Sequence, residues 1–519
     1  MTSRVFRLLA AAALALFAAP PAWAEWHKAE SDRFVIYSDG DARNIREFAE
    51  QLERFHVAMT LLSGFKPPVP SPSNRVTVYA VGSDANLKRL YGDTGSNVAG
   101  FYIPRAEGSV AFTPNVRTGG AKTDFSMIVL LHEYAHHFTI SSTPYPLPRW
   151  ITEGIAEFFA AAKFAPDGGL DIGLAANHRV GELNLNDRLT VREVLDYDRT
   201  ARGAGRRNDG FYGRAWLLFH YLAFNEARAG QYTEYQRRYM QGEPSLQAAE
   251  KAFGDLDQLD RELKAYQRNR RLPGWRYLPH QLPIGKIEVT ALSPGMDAMM
   301  DVVLRSRRGV NNEQALALLP DARAIAARFP DDPGVLAALA EAEYDAGNDA
   351  EAIAAADRAL AIDPGQKNAY VQKGYALFRR AREATDKDAA YAAAMEPFEA
   401  LNAIENDHPL PLIYYYRRYA EQRKEPPENA RAALEYASQL APFDQDLRLN
   451  VAMMMIAERK NALAAQVLAP LAADPHGTNR SQRAKQLIAA LQTTPDGERL
   501  DVSALREPVD TPDVTGAAN

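Results

Sequence analysis

The sequence predicts two domains of different class, an α+β domain over residues 25–271 and an all-α helical array over residues 296–492. In the first part, short runs rich in β-branched residues alternate with amphipathic helical patterns. In the second part the composition turns alanine-rich, and prolines recur at a nearly constant spacing. A chain of 519 residues is also too long for a single hydrophobic core.

The first residues have the pattern of a signal peptide. Arg4 and Arg7 precede an apolar run from Leu8 to Ala19, and a small-x-small sequence ends at Ala24. The alternative, a membrane anchor, would need about 20 apolar residues to cross a bilayer, and this run is shorter. We therefore expect residues 1–24 to be removed on export, with no stable membrane insertion afterwards.

The amino-acid composition limits the expected partners, the possible metal ligands and the cellular location of the protein. The 60 Lys and Arg residues are outnumbered by 66 Asp and Glu, for a net charge of −6, so nucleic acid is not an expected partner. The chain has no cysteine, so any metal must be held by histidines and carboxylates. An exported protein without disulfides fits a bacterial periplasmic or secreted location.

The α+β domain begins with a short series of strands and one long helix. Residues 33–38 and 75–81 are predicted strands, and residues 41–62 between them form a predicted helix with apolar side chains at helical spacing. Two shorter strands are expected at Gly100–Ile103 and Ser109–Thr113.

A helix is predicted next, and it carries an HExxH pattern at residues 132–136. On a helix, His132 and His136 lie one above the other and can both reach one metal ion. Glu133 follows the first histidine and can hold a water bound to that metal. The alternative is a pair of core histidines that make ordinary hydrogen bonds.

A second helix is predicted at residues 150–159, with the sequence WITEGIAEFF. Pro144, Pro146 and Pro148 precede it and break the helical pattern, so the chain should turn and bring Glu153 back toward the histidines. Two histidines and one glutamate leave a fourth tetrahedral position for water, which is typical of catalytic zinc sites.

The pair of segments, HEYAH and WITEGIAEFF, resembles the gluzincin zinc metallopeptidases, and within them the peptidase MA-like group. The resemblance covers about residues 25–270 and implies a zincin-like α+β fold. It implies that His132, His136 and Glu153 bind Zn²⁺ and that Glu157 orients a ligand histidine from the second shell. A solvated charge on the helix is the alternative for Glu157. The G-x-M-E-N segment of the related aminopeptidases is absent, which argues against aminopeptidase activity.

The same resemblance suggests roles for two further elements. In zincin folds the last strand borders the cleft and pairs with substrate, and we assign that position to Ser109–Thr113; an ordinary edge strand is the alternative. The helix at residues 211–222 contains Tyr212, which is a candidate hydrogen-bond donor to the oxyanion that forms when water attacks a carbonyl. A structural tyrosine is the alternative. His137, His220 and Tyr221 are expected to be core residues rather than ligands.

Two glycine- or proline-rich segments are interpreted as connections. Residues 199–210 form a predicted mobile loop, either a lid that favours acidic substrates or a plain solvated loop. Residues 272–295 form a predicted linker with one short strand, Lys286–Leu292.

The alanine-rich part, residues 296–492, resembles tetratricopeptide repeats. The prolines Pro330 and Pro364, and again Pro442 and Pro475, mark the repeat length, and small residues recur where paired helices must approach closely. The resemblance implies a solenoid that binds a protein partner. An unrelated alanine-rich helical bundle is the alternative. Residues 493–519 are polar and expected to be disordered.

Together these observations predict an exported zinc-dependent metallopeptidase. Glu133 would act as general base, and a peptide or protein would be the substrate. Two alternatives stay open: a non-catalytic repeat scaffold with a zincin-like docking domain, and a zinc amidase that acts on cell-wall material.

Overall fold

A computed structural model describes residues 25–92, 98–116, 123–185, 189–197, 210–474, 478–502 and 505. The predicted signal peptide and residues 199–209 of the predicted loop lie outside these residues. Within them, an α+β unit is followed by an array of paired helices. No helix among the described residues combines the length and the apolar character needed to cross a membrane.

A six-stranded mixed sheet organises the first unit. Its strands are β1 (His27–Glu30), β2 (Phe34–Ser38), β3 (Val76–Ala80), β4 (Phe101–Ile103), β5 (Val110–Thr113) and β9 (Glu288–Ala291). They lie side by side in the order β4-β5-β3-β2-β1-β9. Strands β2, β3 and β5 run parallel, whereas β1, β4 and β9 are antiparallel to their neighbours. The predicted strands are therefore confirmed, but β4 rather than β5 is the edge strand, which corrects the position assigned to Ser109–Thr113.

Both faces of the sheet are covered at strands β2, β3, β4 and β5, which explains why these strands are mostly apolar, whereas β1 and β9 are more polar. On one face, α1 (Ala42–Ser63) packs Phe48 and Leu52 against Ile36 and Val78. On the other face, an aromatic ladder crosses the strands, with ring centroids 5.3 Å apart from Tyr37 to Tyr79 and from Tyr79 to Phe112. A short helix, α2 (Asp84–Tyr91), lies beside this ladder.

The remaining elements of the first unit surround two central helices, α3 (Phe125–Ser142) and α4 (Arg149–Ala160). The other helices are α5 (Val180–Leu185), α6 (Val191–Leu195), α7 (Phe211–Phe224), α8 (Gln231–Met240), α9 (Ser245–Phe253) and α10 (Leu256–Gln267). A small antiparallel sheet contains β6 (Lys163–Phe164), β7 (Leu170–Ile172) and β8 (Trp275–Tyr277).

Residues 272–295, which were predicted to be a linker, are part of the first unit's two sheets. They contain two strands, β8 and β9, and these complete the small sheet and the main sheet of the first unit. The sequence did not predict this because the pairing is long-range: β9 pairs with β1 at the opposite end of the first unit's sequence, with His27 opposite Ala291. The first unit therefore extends to about residue 291.

The C-terminal part is an all-α array of helical hairpins, as predicted. Its helices are α11 (Pro294–Arg308), α12 (Asn312–Arg328), α13 (Pro333–Asp345), α14 (Asp349–Ile362), α15 (Lys367–Ala381), α16 (Lys387–Ile404), α17 (Pro409–Glu421), α18 (Glu428–Leu440), α19 (Gln445–Ala457), α20 (Asn461–Ala472) and α21 (Asn479–Leu491). Alanines fill the contacts between paired helices, and Ala340, Ala356 and Ala359 are fully buried. The array begins with α11, and its first hairpin, formed by α11 and α12, ends before residue 330.

The chain after α21 is partly ordered, contrary to the expected tail from residue 493. The side-chain amide of Asn461 donates to the carbonyl oxygens of Thr494 and Pro495, and the Asp496 carboxylate accepts from the backbone of Ala462. A polar composition did not predict this order because the stabilising partner lies in an earlier helix, α20.

The array curves back onto the first unit. Helix α11 packs Met300 and Leu304 against the aromatic ladder of the sheet. Near the middle of the array, Glu405 accepts hydrogen bonds from the backbone and hydroxyl of Ser73, each 2.9 Å long. Near its end, Asp444 accepts a 2.7 Å hydrogen bond from the backbone of Ala106. The two parts of the chain therefore share buried surface along the sheet.

Candidate metal centre

Helix α3 places two imidazoles at one point. Its first turn is capped by the Asp124 side chain, which accepts from the backbone of Ser126. His132 and His136 are one turn apart on the buried face, and their Nε2 atoms lie 3.0 Å from each other. Two imidazole nitrogens at this distance need a proton or a cation between them.

Helix α4 brings the third group, Glu153, against this pair. Its Oε2 atom lies 3.4 Å from the Nε2 atoms of both His132 and His136, and its side chain is fully buried. The proline-rich connection between α3 and α4 ends at Pro148, where α4 begins. The structure thus brings together the three predicted ligands.

Gly154 allows α4 to lie close enough to its neighbour, α7. A Cβ atom at this position would lie 2.8 Å from the carbonyl oxygen of Ala215 and 3.1 Å from the Cβ of Phe219. Any larger residue would push α4, and with it Glu153, away from α7. Gly154 is therefore a site residue that the sequence analysis did not identify, although it follows Glu153 directly.

The three ligand atoms have the spacing that a tetrahedral zinc ion requires. Zinc binds nitrogen and oxygen at about 2.0–2.1 Å, which places neighbouring ligand atoms about 3.3 Å apart. The observed separations are 3.0, 3.4 and 3.4 Å. Among the described residues, neither oxygen of Glu153 makes a hydrogen bond, which a purely hydrogen-bonded core would require. The residues present therefore fit a zinc ion.

The charge distribution around the three side chains also favours a cation. Burial raises the pKa of Glu153, but the two imidazoles beside it outweigh burial and hold the pKa well below its ordinary value. Burial lowers the pKa of His132, whereas the Glu153 and Glu157 carboxylates raise it to about 10. The carboxylates thus stabilise positive charge at this point.

Glu157 lies one turn after Glu153 and reaches the far side of His132. Its Oε1 atom is 3.1 Å from the Nδ1 atom of His132, and its two oxygens also contact His178 and Arg179 at 2.6 Å. Burial raises the pKa of Glu157, but these partners lower it well below its usual range. His178 and Arg179 could not be identified from the sequence, because no regular spacing relates them to the HExxH helix.

Glu133 and His136 face an open cleft. Glu133 is 6% exposed and lines a cleft that has about 970 Å³ of empty space, its open mouth included. The walls come from α3 and the segment after it, from the edge strand and from the end of the helical array, and they include Tyr102, Pro104, Thr139, Ile140, Tyr145, Phe443, Gln445, Arg448, Leu471 and Asp474.

Tyr212 lies beside two of the candidate ligands, His132 and Glu153, rather than in the hydrophobic core alone. Its ring centroid is 6.3 Å from that of His132, and the guanidinium of Arg179 lies 4.9 Å above its ring. The Glu153 carboxylate, followed by burial, raises the pKa of Tyr212 above its ordinary value. The phenol therefore keeps its proton and remains a hydrogen-bond donor at neutral pH.

The remaining histidines of this region make other contacts. The Nδ1 atom of His137 lies 2.6 Å from the Tyr102 hydroxyl, and burial lowers the pKa of His137 to about 4. His220 is fully buried between the carbonyl oxygen of Gly173 and the hydroxyl of Tyr266. Neither lies in the group of ligand atoms formed by His132, His136 and Glu153.

Comparison with known proteins finds one family model that matches part of the chain. Residues 130–240, which include both segments of the metal centre, match the family model described as "Protein of unknown function (DUF1570)". No curated protein matches the chain.

Two solved structures are similar to part of the chain. A thermophilic TPR protein of Thermus thermophilus is 17% identical, covers 38% of this chain and 99% of its own, and gives a TM-score of 0.33. MamA (41-end) of Desulfovibrio magneticus RS-1 is 19% identical, covers 33% of this chain and 90% of its own, and gives a TM-score of 0.27.

Proposed function

We propose that this chain is an exported, zinc-dependent peptide hydrolase of the gluzincin type. His132, His136 and Glu153 would hold the Zn²⁺ ion. The observation that carries the proposal is the convergence of three buried ligand atoms next to an open cleft. A group of three ligands leaves a coordination position for water, as catalytic zinc sites require.

Bound zinc would lower the pKa of a water molecule toward neutrality and polarise the scissile carbonyl. Glu133, which follows His132 and lines the cleft, accepts the proton of the attacking water. It then delivers that proton to the leaving amine, as general acid. Tyr212, held neutral beside Glu153, donates a hydrogen bond to the oxyanion that forms on the carbonyl oxygen.

Glu157 acts through His132 rather than on the substrate. Its contact on the Nδ1 side of His132 fixes the ring so that the Nε2 atom faces His136 and Glu153. Carboxylates in this position also increase the basicity of a ligand imidazole. Arg179 and His178 hold Glu157 in turn, and the Arg179 guanidinium balances its charge inside the protein.

The cleft suits an extended peptide. One of its walls contains Tyr102 and Pro104 at the edge strand β4, where strand-like pairing with a substrate backbone is available. We also propose that the helical array binds a protein partner through the surfaces that do not face the first unit.

Replacement of Glu133 by Gln tests the proposal. Glu133→Gln should keep the metal content of the native protein but lower the hydrolysis of a broad peptide library by at least about a hundredfold. Glu313→Gln, on the exposed first turn of α12, is the control and should cleave as the native protein does. Equal turnover by Glu133→Gln would remove the assigned role. A native protein that holds zinc but cleaves no peptide would favour the cell-wall amidase or the scaffold.

A further inference from the structure

The helical array supplies one wall of the cleft that contains Glu133. Pro442, Phe443, Gln445 and Arg448, at the start of α19, line it together with Leu471 of α20. This wall is held in place by contacts with the first unit, because Phe443 lies 4.6 Å from the His137 ring and Asp444 accepts from the backbone of Ala106. A peptide in the cleft would therefore touch both parts of the chain.

Arg448 is the cationic side chain of this wall. Its guanidinium donates to two neutral acceptors, the carbonyl oxygen of Pro442 at 2.9 Å and that of Val467 at 3.5 Å. No carboxylate among the described residues forms an ion pair with it. Other arginines of the array do have such partners, for instance Arg417 with Glu421.

The surroundings of Arg448 disfavour its positive charge. Most of its surroundings are protein, and this burial lowers its pKa below the ordinary value. Arg448 is partly exposed, and a guanidinium that has lost much of its water and has no carboxylate beside it is stabilised by an anion that reaches it. The fork of donors on an arginine matches a carboxylate in two parallel hydrogen bonds. An acidic group on a bound ligand would provide this partner.

The geometry points to Arg448 as a specificity residue that binds a carboxylate of the peptide substrate, either its C-terminal carboxylate or an Asp or Glu side chain. The inference rests on the proposed peptide hydrolase. Two carboxylates also line the cleft, that of Glu133 and that of Asp474, which follows α20 and accepts a 2.6 Å hydrogen bond from the side-chain amide of Gln445. The cleft would then select peptides by charge as well as by shape.

Three matched heptapeptides test this inference: a neutral peptide with a C-terminal amide, the same peptide with a free C-terminus, and the amide with one Glu side chain. The native protein should cleave at least one acidic peptide with a kcat/KM about ten- to hundredfold above that of the neutral amide. Which acidic peptide is preferred identifies the source of the carboxylate. Arg448→Met should lose this preference, and Arg448→Lys should keep part of it.

Arg358→Met is the matched control, because Arg358 lies in the same array and also donates to a carbonyl oxygen, that of Pro330, but is exposed outside the cleft. It should keep the native preference. Thermal unfolding checks that Arg448→Met is folded. Equal kcat/KM for acidic and neutral peptides, or an unchanged preference in Arg448→Met, would overturn the inference.

Binding separates this inference from the proposed function. The same three peptides are titrated into the full-length Glu133→Gln protein, where no turnover is needed. Tighter binding of an acidic peptide, lost in Glu133→Gln/Arg448→Met, supports the role of Arg448 even if the native protein cleaves none of the three. Equal binding of all three peptides would contradict it, whatever the outcome for hydrolysis.

Discussion

The carboxylate of Glu157 on α4 lies 3.1 Å from the Nδ1 atom of His132 on α3, on the side of the ring away from the candidate ligand atoms of His136 and Glu153. This relationship links the two helices that carry the predicted ligands. It also explains why a second glutamate is buried one turn after Glu153, in contact with Arg179 and His178.

Glu157→Gln should therefore weaken metal binding without removing a ligand. Loss of a carboxylate behind a ligand histidine typically lowers metal affinity about ten- to hundredfold. Competition with a chromophoric chelator measures the zinc affinity. Glu234→Gln, on the surface of α8, is a control that should bind as the native protein does. An unchanged affinity in Glu157→Gln would show that this contact does not hold the ring.

Gly154→Ala should destabilise the first unit. The added Cβ would meet the carbonyl oxygen of Ala215 at 2.8 Å, and relief of that contact requires α4 to move. We expect a loss of about 1–3 kcal/mol in the free energy of unfolding. We also expect weaker zinc binding, because the movement of α4 displaces Glu153. Thermal and denaturant unfolding, with and without added zinc, measure both effects.

Gly181→Ala is the matched control for this substitution. Gly181 lies in α5, and a Cβ there would have nothing within 4 Å. The change should be neutral or stabilise the protein by up to about 1 kcal/mol, since alanine favours the helix. If both alanine variants unfold alike, the close approach of α4 to α7 is not what Gly154 provides.

Asp345, at the end of α13, should make the helical array less stable as the pH rises. Burial is the largest cause that raises its pKa to about 7, and the nearby Glu341 and Glu107 carboxylates raise it further, against Arg307 and Arg379. Between about pH 4 and 7 the folded chain therefore holds a proton on Asp345 that the unfolded chain releases. The contribution of Asp345 to stability thus falls across this range.

Asp345→Asn removes the unfavourable charge. The variant should gain about 1–3 kcal/mol over the native protein at pH 8 and much less at pH 5. Unfolding midpoints at both pH values measure the difference. Asp321→Asn, at a position 63% exposed, is the control and should show no such pH dependence. A gain for Asp345→Asn that is equal at both pH values would contradict the assignment.

Local sequence patterns predicted the helices that carry the site. The spacing of His132 and His136 places both on one turn, and the prolines before Arg149 force the chain to reverse before Glu153. Such patterns depend only on neighbouring residues. Strands β2 and β3 and the helix α1 between them were predicted for the same reason.

Contacts between distant residues were not predictable in this way. The pairing of β9 with β1 turned a supposed linker into part of the sheet, and β4 rather than β5 lies at its edge. The wall that contains Phe443 and Arg448 depends on how the helical array docks on the first unit, which periodicity alone does not encode. Gly154 was overlooked because its function depends on contact with α7, a helix much later in the sequence.

The metal content of the purified, full-length protein is the most direct test of the account. Zinc analysis of the native chain should give about one ion per molecule, and His132→Ala should hold less than about a tenth of that amount. His280→Ala, at an exposed histidine outside the site, should retain the ion. A native protein without stoichiometric metal, or a His132→Ala variant that binds as much as the native chain, would contradict the proposed metal centre.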